Sequence, residues 1–133
     1  MRIKGIVAAL ISTTLLFGGL TGIAAAHTFT DRTRLTLHVN DRHVDRGDDV
    51  VFSGRLRARH KKCRSHQVVE LYRNGRLIAT TTTNSGGHYR FRRQIFRTGT
   101  YRVKFAGFVG GTHPHSHTCK RSSSPRVKVH VRR

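Results

Sequence analysis

The stretch Thr80–Phe105, TTTTNSGGHYRFRRQIFRTGTYRVKF, reads as three strands separated by two turns. Thr80 to Thr83 is β-branched and extended, and Asn84-Ser85-Gly86-Gly87 is a dense turn cluster. Tyr89 and Phe91 then alternate with polar residues, Gly99 opens a second turn, and Tyr101, Val103 and Phe105 alternate again. Alternation with a period of two, bounded by Gly and Asn, predicts half-buried antiparallel strands.

The same pattern extends outward in both directions. Leu35, Leu37 and Val39 alternate with Thr36 and His38, a first strand after a loose leader from His27 to Arg34. Val50 to Leu56 is a second strand, with Val50, Phe52 and Leu56 on one face. Gln67 to Arg73 is a third, with Val69 and Leu71 inward and Glu70 outward. Asn74-Gly75 follows, the residue pair that a type I′ hairpin turn favours because both central positions need positive φ, and Arg76 to Thr83 is the return strand. Ala106 to Ser124 reads as a long loop, and after it Val127, Val129 and Val131 point inward from a last strand. The turn signals fall about 8–12 residues apart and no segment has a helical period, which together predict an all-β, antiparallel sandwich. Arg46-Gly47-Asp48 is turn chemistry ahead of the second strand. Asp41, Asp45, Asp48 and Asp49 do not have the spacing of a calcium-binding loop.

The first 26 residues stand apart from this pattern. Met1-Arg2-Ile3-Lys4 is a basic head, Gly5 to Leu20 is apolar, and Ala24-Ala25-Ala26 offers small residues for cleavage, so residues 1–26 read as a signal-peptide helix. Residues 27–133 then form one domain, secreted or associated with the cell surface and not membrane-spanning. Those residues keep 24 of the 26 Lys and Arg against all six acids, a net charge of +18. Nearly all of the excess lies after Asp49, where Glu70 is the one acid. Such a field attracts polyanions. Ten histidines, with an ordinary pKa of about 6.5, add to it in mild acid.

Cys63 and Cys119 are the two cysteines, and in an exported domain they read as a disulfide. The bridge would close a 56-residue separation, worth about 4 kcal/mol in the chain-entropy model. Cys63 lies in Arg57–His66, which reads as an exposed loop between the second and third strands, and Cys119 lies between the sixth and seventh. In a seven-stranded sandwich of immunoglobulin topology those two connections sit at one end, so the bridge would tie them into a single pole.

Thr83-Asn84 with Gly87-His88-Tyr89-Arg90-Phe91, followed by Gly99-Thr100-Tyr101-Arg102-Val103, resembles the motif of bacterial immunoglobulin-like domains of the carboxypeptidase-regulatory-like, prealbumin-like and collagen-adhesin types. Val50 to Leu56 and Leu71 to Gly75 resemble the second strand and first hairpin of the same group. The resemblance implies a seven-stranded immunoglobulin-like antiparallel β-sandwich serving as a spacer, stalk or ligand-binding module, and it implies no catalysis. Two departures stand out. The first strand carries no Lys and the last no Asn or Asp, so no intramolecular isopeptide bond is expected. Val103 stands two residues after Tyr101, where antibody domains place a Cys, and the chain has no Trp.

Function must then come from the pole. Glu70 is the one Glu, and no nucleophile–base arrangement is present, so the chain reads as non-enzymatic, with no small-molecule substrate. Arg57, Arg59, Lys61, Lys62 and Arg64, joined through the bridge to Lys120 and Arg121, form a basic run suited to an anionic cell-wall or extracellular polymer. Arg90, Arg92, Arg93, Arg132 and Arg133 add to this charge. His60, His66, His113, His115 and His117 gather near the same bridge and suggest a Zn or Cu site as the alternative. No carboxylate stands by to orient the imidazoles, and the surrounding cations oppose a divalent metal. A purely structural surface domain is the third reading.

Overall fold

The computed structural model describes residues 28–133; the signal-peptide segment read at residues 1–26 lies outside them. In chain order the strands are β1 (Phe29–Asp31), β2 (Thr33–Leu35), β3 (His38–Val39), β4 (His43–Val44), β5 (Asp48–Ala58), β6 (Val68–Arg73) and β7 (Arg76–Thr82). They continue with β8 (His88–Ile95), β9 (Gly99–Phe105), β10 (Phe108–Thr112), β11 (His115–Cys119), β12 (Ser122–Ser123) and β13 (Val127–Val131). A 3-10 turn at Lys61–Cys63 is the one helical element among the described residues. The described residues form an all-β structure.

Three sheets form. In the first, β2 and β3 follow one another along one edge of β5, and β8 covers its other edge. The second has the order β4-β13-β9-β6-β7, with β12 also pairing β9. These two sheets share one core. Leu35, Val50, Phe52, Leu56, Tyr89 and Phe91 come from the first, and Val69, Leu71, Tyr101, Val103, Phe105, Val127 and Val129 from the second. The rings of Phe52 and Tyr101 meet across it at 4.6 Å between centroids. Burial of side chains this size contributes about 1.5–3 kcal/mol each, the main favourable term in the fold. Tyr89 is tied down at its polar end as well, donating its hydroxyl to the Thr36 carbonyl. Gly54 leaves room for that bond, since a Cβ there would meet both groups.

The alternation read in β5, β6, β9 and β13 positions the core as expected. Asn74 and Gly75 have φ of 49° and 79°, the positive values that the hairpin turn requires. Gly47 has φ 91° and Asp48 N–H donates to the Asp45 carbonyl, so Arg46-Gly47-Asp48 is a turn. Its neighbouring carboxylates are engaged locally, Asp41 accepting from His43 N–H and Asp48 from Asp45 N–H.

Four expectations need correction. The leader from His27 to Arg34 is not loose where described, because β1 pairs in parallel with β11 and β2 pairs with β5. The segment Ala106–Ser124 is not a plain loop. It folds back as the β10–β11 hairpin and then pairs through β12. Its His-Ser-His-Thr-Cys stretch was itself an alternating pattern, with His117 and Cys119 buried. The connection Arg57–His66 is not wholly exposed: Arg57 and Ala58 still belong to β5, and Cys63 is fully buried. Val131 is only half-buried, since it lies where β13 leaves β9 and meets the short β4.

Candidate polyanion-binding pole

The third sheet, β1-β11-β10, forms the pole that the cysteines tie together. Cys63 and Cys119 are bonded, with their Cα atoms 5.3 Å apart. The bond sits next to a buried carboxylate. Asp31, only 6% exposed, accepts from the His60 backbone N–H at 2.6 Å and lies 3.3 Å from His60 Nδ1. Its carbonyl accepts from Lys120 N–H at 2.9 Å. One residue near the start of the described chain therefore links both cysteine-bearing connections. Hydrogen bonds to a charged acceptor are about twice as strong as neutral ones.

The connection that carries Cys63 is fixed at its other end too. Thr83 Oγ1 donates to the Arg64 carbonyl at 2.6 Å and accepts from Gln67 N–H at 2.8 Å, while Gln67 Nε2 donates to the Lys62 carbonyl at 2.8 Å. A loop held at this many points fixes the backbone positions from which its exposed side chains extend.

The basic residues read from the sequence fall into two groups. Arg57, Arg59, Lys61, Lys62 and Lys120 are exposed, and the disulfide brings Lys62 and Lys120 to neighbouring backbone positions. Arg64 and Arg121 behave differently. Arg64 turns inward, its Nη1 donating to the carbonyls of Ala58 at 2.9 Å and Arg59 at 3.3 Å, so it braces the loop from beneath. Arg121 is exposed but lines a groove with Glu70, Tyr72 and Lys104, where a carboxylate offsets part of its charge. In that groove Tyr72 donates to Glu70 at 3.3 Å and Lys104 Nζ stands 4.6 Å from the Tyr72 ring centre.

The sheet continues this charge in a way that single stretches of sequence did not reveal. Tyr89 and Phe91 point into the core from β8, so His88, Arg90 and Arg92 face outward. They pair with Arg55, Ser53 and Val51 of β5. Arg34 of β2 stands directly opposite Arg57 of β5. Like charges facing each other across strands are destabilising, and here no acid lies between them in the register. Asp49 is the one carboxylate on this face, and Arg92 occupies it at 2.8 Å. The signal for this face was in the sequence: arginines occupy the outward phase of the same alternation that defines the strands.

The histidines are not gathered into a ligand set. Among the described residues no group of three or more His, Cys, Asp or Glu is placed to hold a metal ion. His60 stacks on Phe29 at 3.8 Å between ring centres, and His117 stacks on the same ring at 5.3 Å. The two imidazoles thus serve as aromatic surfaces around a phenyl group. His66 is exposed, with φ 54°, and His113 is exposed at the turn of the β10–β11 hairpin. His115 lies on the exposed face of β11, the opposite phase from the buried His117.

Among the described residues no helix is long and apolar enough to cross a membrane. No family model matches the chain, and no curated protein matches it either.

Proposed function

We propose that the protein is an exported, non-enzymatic domain of immunoglobulin-like sandwich type that associates electrostatically with anionic polymers outside the cytoplasm. One observation carries the reading. Among the described residues, Arg92 and Arg132 are the only Lys or Arg side chains within ion-pair distance of a carboxylate, at 2.8 and 3.8 Å. The other Lys and Arg side chains of the described residues have no carboxylate within that distance, and on the pole and the β2–β5–β8 face they extend from rigid backbone. A polyanion supplies what the fold lacks.

Two further facts support the parts of this reading. The disulfide suits an oxidising compartment, which favours export. The first strands pair with both large sheets, β2 and β3 with β5 and β4 with β13, an arrangement that favours the immunoglobulin-like assignment.

A salt series tests the function. Affinity for an anionic polymer such as polyphosphate, heparin or a teichoic acid should fall steeply with salt, the slope of log K against log salt scaling with the number of anionic groups contacted. Lys61→Gln/Lys62→Gln should make that slope shallower by about one to two units, whereas Arg64→Gln should act on stability before it acts on the slope. A slope that is flat in the wild-type protein rules the proposal out.

A further inference from the structure

At the far end of the sandwich from the disulfide, the Asn74–Gly75 turn makes Arg73 and Arg76 register partners, and Arg73 also stands opposite Tyr101 of β9. Arg73 does not extend into solvent. Its side chain lies across Gly99, where a Cβ would stand 2.8 Å from Arg73 Nε and 3.2 Å from its Cγ. Gly99 therefore lets the guanidinium bed down beside the sheet.

The concavity it enters is lined by Arg73, Arg93 and Arg97, over an apolar floor that includes Ile78, Ile95 and Tyr101. No acidic residue lines it. Burial raises the Tyr101 phenol above its ordinary pKa, while the charges of Arg73 and Arg93 pull it back down. Within the protein, the buried Nε of Arg73 has no hydrogen-bond partner. A buried charged donor without an acceptor is costly, so the charged head of Arg73 gains from an anion placed beside it. Guanidinium groups present parallel N–H donors that match the spacing of oxygens on a tetrahedral oxyanion.

The geometry points to a discrete oxyanion site at this end of the molecule, in which Arg73, Arg93 and Arg97 converge on one phosphate or sulfate group. The site is separate from the polymer-binding pole: β6 and β8 each run their full length between the two. It neither needs the pole's charge nor depends on the association proposed above.

The test is an NMR titration of the arginine Nε–H signals with inorganic phosphate, and separately with sulfate, at ionic strength held constant with chloride. The Arg73 signal should shift and saturate while those of Arg57 and Arg59 stay nearly still. The stronger of the two titrations identifies the group. Arg93→Gln removes one exposed arm without touching the core and should weaken binding about tenfold or more. Gly99→Ala should displace Arg73 and weaken it similarly. A retained dispersed backbone amide spectrum would show that either variant is folded. An Arg73 shift that never saturates, or that no more than matches Arg57 and Arg59, overturns the proposal. So does unchanged affinity in Arg93→Gln.

Discussion

The two ends of this molecule are both basic and are built on opposite plans. The disulfide end displays Lys61, Lys62 and Lys120 on connections, exposed, over a scaffold of cross-links made by Asp31, Thr83, Arg64 and Cys63–Cys119. The hairpin end uses arginines at or near strand ends, with Arg73 bedded on Gly99 and facing Arg93 and Arg97 across a concavity. Lysines on flexible stems act as strongly hydrated point charges, whereas arginines hold a planar fork in place. The first plan suits a long, variable polymer and the second a single group of defined shape. Net charge alone does not distinguish the two.

The largest effect is expected at the bridge. Reducing or replacing Cys63–Cys119 should lower the unfolding free energy by about 4 kcal/mol in denaturant titrations with and without reductant. In the fraction that remains folded, polymer binding should weaken because the two basic connections separate, while phosphate titration of the Arg73 signal should survive. Equal loss at both ends would mean that they are not independent.

A smaller effect is expected from Asp31→Ala. It leaves the His60 N–H of the buried knot without its acceptor and should cost about 1–3 kcal/mol, read by chemical denaturation. Polymer affinity measured on folded protein should not fall, because the change removes a negative charge from a positive pole.

The smallest effect sharpens the hairpin end alone. Burial raises the Tyr89 and Tyr101 phenols, and Arg73 and Arg93 oppose it only at Tyr101. A folded pKa above the unfolded value of about 10 means stability fully present below pH 10 and lost as pH rises through the folded values. Ultraviolet absorbance of the phenolates should therefore show Tyr101 ionising before Tyr89. Arg93→Gln should move the Tyr101 step to higher pH and leave that of Tyr89 in place.

Much of the β-structure was legible in the sequence because its cause is local. Val50, Phe52 and Leu56, or Tyr101, Val103 and Phe105, carry their alternation within a few residues, and Asn74-Gly75 carries its turn by itself. The β1–β11 pairing was not legible in this way, because the alternation of β11 does not say which strand lies beside it. Phe29 and His117 are partners 88 positions apart, and neither stretch is rich in the β-branched residues that mark strands. At the site, Arg59 and Arg64 read alike in one basic run, yet one is exposed and the other donates to backbone carbonyls beneath it. Only the path of the chain separates them. Of the hairpin-end arginines, Arg93 was visible as charge on a strand. Arg73 and Arg97 gain significance only when β6 and the chain after β8 meet.

Arg34 and Arg57, facing each other across β2 and β5, give the fold an unusual relation to its surroundings. Most surface ion pairs make a protein a little less stable as salt is added. Here the dominant surface term is repulsion, so counter-ions relieve strain instead of screening attraction. If the proposed function holds, a bound polyanion would complete the charge balance and, by mass action, raise the melting temperature along with occupancy. The charges that strain the fold would then be the ones that bind, and the domain would be at its most stable where such a polymer is most abundant.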